Sequence, residues 1–226
     1  MGDNDFEWRT ACAVSDRTHT REGRQMRRLM VGLLALAIAI ACSDPSGPPP
    51  PVPTSQLHFV LQSATARPLL SDTASFYAKV GENRRVELFY QGAALGDTGE
   101  SFLRFEVPGT GLYRRPDGSA FAPGDSILIT IRVLDRRKFL FDFQPTGLQF
   151  NPSDPARLHI DYVHADHDYD GDGRITASDS MIQKKLDIWQ RTPPDTLWTK
   201  LGALNVEELE ELEGKIHHFT DHAIAW

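Results

Sequence analysis

Apolar and polar residues alternate along most of the chain from Leu57 to Tyr162. Because successive side chains of a strand point to opposite faces, this period of two indicates strands with one buried face. Turns rich in Gly, Pro and Asp separate the segments. We therefore predict a mainly β fold for residues 57–226, an antiparallel β-sandwich into which one loop and a short helix are inserted. The alternating apolar sets are Phe76, Ala78 and Val80; Val86, Leu88 and Tyr90; Leu103, Phe105 and Val107; Ile127, Ile129, Ile131 and Val133; and Leu158, Ile160 and Tyr162.

Two local features refine this prediction. The turn at residues 81–83 lies between the first two alternating sets and predicts a hairpin that pairs them. Phe139, Phe141 and Phe143 would share one face of a later strand. Such an aromatic row would also suit a ligand platform, but because sheets bury one face we expect it to belong to the core.

The segment after residue 176 combines two patterns. The apolar spacing of residues 181–189 fits one face of a helix, whereas residues 186–190 and 197–201 resemble the two strands of a hairpin. We predict one or two helical turns at residues 177–185, followed by the hairpin. Residues 206–213 also have helical preferences.

The N-terminal region carries an apolar run of 13 residues, Leu29–Ala41, preceded by two arginines. A membrane-spanning helix needs about 20 such residues, so this run is too short to span a bilayer. A basic start, a short apolar run and small residues at its end are the features of a secretory signal peptide, which we assign to residues 26–41. Because Met26 heads this unit, we expect residues 1–25 to be a wrongly assigned upstream extension. A long basic start to the signal peptide is the alternative.

Cys42 follows this run directly, and Ala39-Ile40-Ala41-Cys42 resembles a bacterial lipobox, in which the cysteine carries the lipid. The same residues also fit an ordinary A-x-A cleavage site, since Ala39 replaces the usual Leu. Residues 42–56 are rich in Pro, which favours an extended, semi-rigid spacer. The spacer favours lipidation, so we predict an outer-membrane or surface lipoprotein that contacts the membrane through its lipid alone. Without the lipid, the protein would be periplasmic or secreted. 

The cysteine count and the charge restrict the function further. Cys12 is the only other cysteine, so no disulfide framework is expected in the folded region. The chain has 31 acidic and 24 basic residues, which gives a formal net charge of −7. Nucleic-acid-binding proteins need a basic stripe, so this balance argues against a nucleic-acid partner. It suits solubility and the binding of cations.

Carboxylates are concentrated in one segment, Asp168–Asp179, which we call the acidic loop and which fits the calcium loop of an EF-hand. Ca²⁺ prefers several oxygen ligands, and carboxylates at alternate positions converge on one point. Gly173 permits the sharp turn that the loop requires, and Ile175 is expected to point into the core. The predicted ligands of Ca²⁺ are Asp168, Asp170, Asp172, the Arg174 carbonyl oxygen, Thr176 and Asp179.

Asp179 departs from the Glu that is usual at the last position of an EF-hand loop. Dockerin modules place Asp there, and Asp-x-Asp-Gly-Asp-Gly resembles their loops, but dockerins carry two loops and this chain has one such segment. The short side chain predicts weak to moderate calcium affinity, which suffices outside the cell. A solvated acidic turn without metal is the alternative, and the agreement of several loop positions favours calcium. Asp166, just upstream, would either support the ligands or be exposed.

The sequence gives little support for zinc binding or for catalysis. A zinc site drawn from the later histidines lacks the spacing of known zinc motifs, so we expect these residues at surface or cross-strand positions. They are His164, His167, His217, His218 and His222. No Gly-x-Ser-x-Gly elbow, Walker loop or His-Glu-x-x-His motif is present, and we do not expect an enzyme.

Three segments resemble ZU5-type β-sandwich modules: residues 123–130, 139–150 and 218–226. ZU5 modules occur in ankyrins, netrin receptors and bacterial surface proteins, where they have structural or interaction roles and no catalytic residues. The resemblance implies a ZU5-like sandwich in which residues 214–226 form a final strand pair. It favours a calcium-stiffened surface module that contacts an unidentified protein or glycan. The dockerin-like loop suggests the alternative, an accessory module of carbohydrate degradation, and a cohesin or glycan pull-down would separate the two.

Overall fold

The computed structural model describes residues 49–94 and 96–226. The predicted signal peptide at 26–41, the predicted lipidation site Cys42 and the extension at 1–25 lie outside these residues. Within the described part of the chain, no helix is long and apolar enough to cross a bilayer.

Almost all regular structure in the described residues is β-strand. The exceptions are one α-helix, α1 (Ala177–Gln183), and one short 3-10 helix (Thr54–Gln56). The strands are β1 (Val52–Pro53), β2 (Thr73–Lys79), β3 (Arg84–Gln91), β4 (Thr98–Val107), β5 (Leu112–Arg114), β6 (Ser126–Asp135), β7 (Leu140–Gln144), β8 (Gln149–Phe150), β9 (Ala156–Asp161), β10 (Asp187–Arg191), β11 (Leu197–Lys200), β12 (Leu204–Val206), β13 (Glu211–Ile216) and β14 (Asp221–Ala225).

These strands form two larger antiparallel sheets and one small one. The seven-stranded sheet has the order β1-β11-β10-β14-β7-β6-β2, and the five-stranded sheet has the order β12-β13-β9-β4-β3. Strands β5 and β8 pair separately. The mainly β, antiparallel fold with one short helix is therefore confirmed and is consistent with a β-sandwich.

The core between the two larger sheets is rich in phenylalanine. Phe105 on β4 of the five-stranded sheet contacts Phe143 on β7 of the seven-stranded sheet, with ring centroids 5.4 Å apart. Phe219, just before β14, lies 5.5 Å from Phe105 and 5.4 Å from Phe143. Phe139, Phe141 and Phe143 are all fully buried, so the prediction that they belong to the core is confirmed.

Strands β2 and β3 follow each other in the chain but do not pair. β2 pairs with β6, whereas β3 pairs with β4 in the other sheet. The predicted hairpin around residues 81–83 is therefore wrong, and the turn carries the chain from one sheet to the other. Ala78 on β2 and Leu88 on β3 are both buried in the same core. A period of two identifies the buried face of a strand but not its partner, which explains the error.

Part of the segment predicted as a spacer packs against the seven-stranded sheet. Val52 on β1 lies opposite Trp198 on β11. The Trp198 indole N–H donates a hydrogen bond to the Thr54 hydroxyl oxygen at 3.0 Å. Residues 52–56 therefore belong to the folded unit, and the predicted domain boundary at Leu57 lies too far along the chain.

A second, smaller hydrophobic cluster surrounds this N-terminal segment. Leu57 packs there with two tryptophans and two alanines of β10, β11 and β14, namely Trp189, Trp198, Ala223 and Ala225. Their neighbours Ile188 and Ile224 belong to the main core instead. Because neighbouring residues of a strand point to opposite faces, the second cluster covers the outer face of the seven-stranded sheet.

The segment from residue 177 to residue 200 agrees with the prediction. The helix α1 begins at Ala177 and ends at Gln183, and β10 and β11 then form an antiparallel pair with Trp189 opposite Lys200. The two sequence patterns in this segment therefore describe consecutive elements, a short helix and the hairpin that follows it.

Residues 204–206 and 211–216 form strands with a turn between them, so the helix suggested at 206–213 is wrong. β12 pairs with β13, and β13 pairs with β9. Alternate residues of β13, including Leu212 and Ile216, are fully buried. Burial of this face outweighs the weak helical preference of the glutamates. The predicted strand pair at 214–226 is also wrong, because β13 and β14 lie in different sheets.

Candidate metal centre

The acidic loop and α1 connect the two larger sheets. β9 of the five-stranded sheet ends at Asp161, and β10 of the seven-stranded sheet begins at Asp187. The acidic loop starts at Asp168, and the N-terminal part of α1 lies within it. The predicted position of the loop between two strands of one core is thus what the structure shows.

Three carboxylates of the loop converge. One oxygen each of Asp168, Asp170 and Asp172 lies within 4.8 Å of the other two. Asp168 is half-buried, whereas Asp170 and Asp172 are exposed. Within 49–94 and 96–226, this is the one group of three or more His, Cys, Asp or Glu side chains with the spacing of metal ligands.

Backbone N–H groups of the loop hold these carboxylates in place. Asp172 N–H donates to Asp168 Oδ1 at 3.0 Å and to Asp170 Oδ1 at 3.2 Å. Gly173 N–H donates to Asp168 Oδ2 at 2.8 Å, and Arg174 N–H donates to Asp172 Oδ1 at 2.8 Å. Gly173 has a φ of 82°, a left-handed conformation that favours glycine, as predicted for the sharp turn.

Asp179 lies outside the group of three and stabilises the loop in another way. Its carboxylate is buried and accepts hydrogen bonds from Thr176 N–H at 2.8 Å and Asp170 N–H at 3.2 Å. The hydrogen bond from the Thr176 backbone, followed by that from Asp170, holds the pKa of Asp179 below its ordinary value. Thr176 in turn accepts from Ser178 N–H at 3.1 Å, so the two side chains form a capping box at the start of α1.

The predicted ligands thus fall into three sets. Asp168, Asp170 and Asp172 are brought together, whereas Thr176 and Asp179 interact with each other at the start of α1. Arg174 is an exposed loop residue. 

The prediction that Ile175 anchors the loop is wrong. Its side chain is 74% exposed, whereas Tyr169 is only 6% exposed and belongs to the main core. The Tyr169 ring packs edge-on against Trp226 at 5.9 Å. Burial raises the pKa of the Tyr169 hydroxyl. An aromatic residue among the acidic residues is the sequence signal that would have identified this anchor.

Asp166 and His167 have supporting contacts at the acidic loop. Asp166 is exposed and accepts a hydrogen bond from Asp168 N–H at 3.2 Å. A ring nitrogen of His167 lies 2.8 Å from a carboxylate oxygen of Glu210, so a neighbour of the loop is fixed to the turn before β13. Within the described residues, none of the histidines belongs to a group with metal-ligand spacing.

Fold and site together define a mainly antiparallel β protein with a cluster of three aspartates in the connection between its two larger sheets. Comparison with protein-family models, with curated proteins and with solved structures found no match to this chain. The similarity to ZU5 modules and to dockerin loops therefore stays a prediction from the sequence.

Proposed function

We propose that this protein binds Ca²⁺ through the acidic loop and uses the ion to stabilise the connection between its two larger sheets. The observation that carries the proposal is the convergence of Asp168, Asp170 and Asp172 within 4.8 Å. Ca²⁺ lies about 2.3–2.6 Å from its oxygen ligands, so two oxygens bound to one ion are at most about 5 Å apart. The three carboxylates already have a spacing that one ion can bridge.

The remaining ligands of the proposal are the Arg174 carbonyl oxygen, Thr176 and Asp179. A carboxylate has about four lone-pair sites, so Asp179 can bind the ion while it accepts its two backbone hydrogen bonds. The shortness of the Asp side chain supports the weak to moderate affinity expected from the sequence.

Bound Ca²⁺ would increase the stability of the native protein. Without metal, three carboxylates lie close together and repel one another. A ligand that binds only the native state stabilises it by about 2.7 kcal/mol when its concentration is a hundredfold above Kd. Because the acidic loop joins strands of both sheets, a local ordering of the loop would be transmitted to the whole sandwich.

We further propose that the protein is exported and anchored through a lipid on Cys42, with a structural or interaction role at the cell surface. The proposal is supported by the apolar run at 29–41 and by the lipobox-like residues before the cysteine. Strand β1 begins at Val52, and ten residues of polyproline II separate two points by about 30 Å. Mass spectrometry of the N-terminal peptide from native membranes tests this proposal, and a soluble protein with a free Cys42 thiol would contradict lipidation.

Calorimetric titration and thermal melting test the calcium proposal. The melting temperature should rise with millimolar Ca²⁺ and much less with Mg²⁺, which demands tighter octahedral geometry. Asp170→Ala should abolish the rise. Asp195→Ala removes one exposed acidic residue from the turn between β10 and β11 and is the matched control, which should respond like the wild type. An equal response of Asp170→Ala and wild type would show that the loop is a solvated turn.

A further inference from the structure

Strand β2 forms one edge of the seven-stranded sheet and pairs with β6 alone. Just before β2, the Asp72 carbonyl oxygen accepts a hydrogen bond from Val133 N–H at 2.8 Å. Just after it, Val80 N–H donates to the Asp125 carbonyl oxygen at 2.9 Å. Because the backbone groups of successive residues point to opposite sides of a strand, the even-numbered residues of β2 bond to β6. The odd-numbered residues direct their N–H and C=O groups away from the sheet, and they are Thr73, Ser75, Tyr77 and Lys79.

Both ends of this outward edge are blocked by the chain itself. The Ser71 hydroxyl accepts a hydrogen bond from Thr73 N–H at 3.2 Å and donates one to the Thr73 carbonyl oxygen at 2.7 Å. At the other end, the Lys79 carbonyl oxygen accepts from Glu82 N–H at 3.1 Å. A further strand that reached either end would therefore meet backbone groups that are already occupied.

The middle of the edge is open. Among residues 49–94 and 96–226, none forms a hydrogen bond with the outward backbone groups of Ser75 and Tyr77. Each of these two residues presents one N–H donor and one C=O acceptor, and the two lie symmetrically on either side of Phe76. An unpaired edge of this kind is a template for pairing with another strand. Because the ends are blocked, the edge suits a strand whose own free groups span the same short length.

The other edges of the two larger sheets are less suited to pairing. Strand β1 has two residues and β12 has three. Strand β3 is longer, but residues 68–70 exchange backbone hydrogen bonds with Phe89 and Gln91 at one of its ends. The charged residues Arg84, Arg85 and Glu87 lie towards its other end. Charged side chains on an edge strand discourage pairing with a further strand.

We propose that β2 pairs with β2 of a second copy of this chain, antiparallel and about a two-fold axis at Phe76. In this register Ser75 of each copy lies opposite Tyr77 of the other, and their free groups form four hydrogen bonds between the copies. An axis at Ser75 would place Tyr77 opposite the blocked Thr73. An axis at Tyr77 would place Ser75 opposite Lys79, whose carbonyl oxygen is occupied. A two-fold interface uses the same surface of both copies, as this edge does.

The side chains of β2 fit this register on both faces. Phe76 would lie opposite Phe76 of the second copy, at a position where Cα atoms are about 4.5 Å apart. In the single chain Phe76 is half-buried and packs against Phe105, with ring centroids 6.5 Å apart. Tyr77 on the outer face is 63% exposed and would lie diagonally across from its copy. Aromatic pairs across neighbouring strands stabilise a sheet, so the pairing would cover rings that are exposed in the single chain.

Charge does not oppose the pairing. Lys79 is the one charged residue of β2, and the register places it opposite Thr73 of the second copy. Lys79 also forms a salt bridge with Glu82 of its own chain at 2.6 Å. Like charges that would destabilise a strand pair therefore do not face each other. Because one short strand pair buries less surface than a standard interface, we expect a weak dimer with a high-micromolar Kd. The pairing is independent of the calcium proposal.

Disulfide cross-linking of the full chain tests the register. In a background with Cys12→Ser and Cys42→Ser, chains with Ser75→Cys are mixed with chains with Tyr77→Cys and oxidised. The pairing puts these positions opposite each other, with Cα atoms about 5.5 Å apart, so the mixture should form a cross-linked dimer. Ser75→Cys alone should not, because its two copies lie diagonally at about 7–8 Å. The matched control, a mixture of Ser75→Cys and Thr73→Cys, should also stay uncross-linked. Equal cross-linking in the three samples would overturn the register.

Sedimentation equilibrium measures the strength of the dimer. Ser75→Pro removes an outward N–H without removing a hydrogen bond to β6, and Pro is tolerated on edge strands. Two of the four hydrogen bonds are lost by symmetry, so the Kd of the dimer should rise at least about tenfold. Thr73→Pro also removes an outward N–H, but one that the pairing does not use, and this matched control should dimerise like the wild type. A wild-type chain that remains monomeric at millimolar concentration would overturn the proposal.

A second pair of variants separates the edge from the apolar face beside it. Leu128 on β6 lies directly opposite Tyr77 and is 47% exposed, one strand further from the edge. Tyr77→Lys puts two like charges diagonally across the pairing and should raise the Kd of the dimer about tenfold. Leu128→Lys should change it much less. Equal weakening by both variants would show that the copies associate through the face of the sheet and would overturn the pairing of the edges.

Discussion

Asp142 on β7 and Asp221 on β14 lie directly opposite each other on neighbouring strands of the seven-stranded sheet. Both are buried, with 6% and 5% of their surfaces exposed. Like charges opposite each other destabilise a sheet unless they are compensated. Here each carboxylate has an arginine on its other side, since Arg132 pairs with Asp142 and Arg191 pairs with Asp221 at 2.6 Å. Arg132, Asp142, Asp221 and Arg191 thus form a row across β6, β7, β14 and β10. The two positive and two negative charges of this row compensate each other.

We expect the two arginines to contribute unequally. Arg191 is the one salt-bridge partner of Asp221 in the described residues, whereas Asp142 also accepts a hydrogen bond from Gln144 at 2.7 Å. Arg191→Met should lower the free energy of unfolding by about 2 kcal/mol, because a buried carboxylate loses its partner. Arg132→Met, at a half-exposed position, should cost less than about 1 kcal/mol. Urea denaturation measures both, and equal losses would contradict this account of the row.

The N-terminal segment should stabilise the fold through Leu57. This side chain is buried among the tryptophans of the second hydrophobic cluster, whereas Leu61 on the same segment is 47% exposed. Leu57→Ala should lower the free energy of unfolding by about 2–3 kcal/mol, and Leu61→Ala should cost about 0.5 kcal/mol or less. The same denaturation experiment compares them. Similar values would mean that the segment is docked only loosely, as a spacer would be.

Much of this fold could be predicted from the period of two, because each strand buries one face. Ile129, Phe141 and Ile160 are fully buried, as expected for apolar positions of strands in which apolar and polar residues alternate. Pairing partners are set by contacts that are distant in the sequence, so β2 could not be assigned to β6 from local pattern. The strand β13 illustrates the same point, because its glutamates favour a helix weakly and the burial of Leu212 decides the outcome.

The candidate site, like the fold, could be predicted from the sequence only in part. The convergence of Asp168, Asp170 and Asp172 could be predicted from a spacing within one loop, since local turn geometry determines it. The exposure of Ile175 could not be predicted, because it depends on which side of the loop faces the rest of the domain.

His222 should make the protein sensitive to mild acid. Its ring is fully buried on β14, one ring nitrogen lies 3.1 Å from the Thr220 carbonyl oxygen, and burial lowers the pKa of His222 to about 3. Between pH 3 and an unfolded value near 6.5, the unfolded chain binds a proton at this residue and the native protein does not. Stability should therefore fall as the pH decreases below about 6.5, by about 1.4 kcal/mol per pH unit.

Urea denaturation at a series of pH values from 7 to 4.5 measures how the free energy of unfolding changes with pH. The wild type is compared with His222→Gln, whose side chain has no ionisable group but keeps an N–H donor. The slope of the variant should be smaller, whatever its stability at pH 7. Identical slopes would assign the acid sensitivity to other groups. Asp179, whose pKa is lowered, loses its stabilising contribution only at lower pH, so it does not interfere in this range.

Asp179 and Asp170 should differ when no metal is present. Asp179 accepts two backbone hydrogen bonds that close the loop onto α1, whereas Asp170 is exposed and contributes to the repulsion among three carboxylates. In EDTA, Asp179→Ala should therefore melt several degrees below the wild type, because the Thr176 and Asp170 amides lose their acceptor. Asp170→Ala should melt at the same temperature or slightly higher. In millimolar Ca²⁺, both variants should lose the rise in melting temperature. If Asp179→Ala melted like the wild type in EDTA and lost only the calcium response, this residue would act as a ligand alone and its capping contacts would contribute nothing to the metal-free fold.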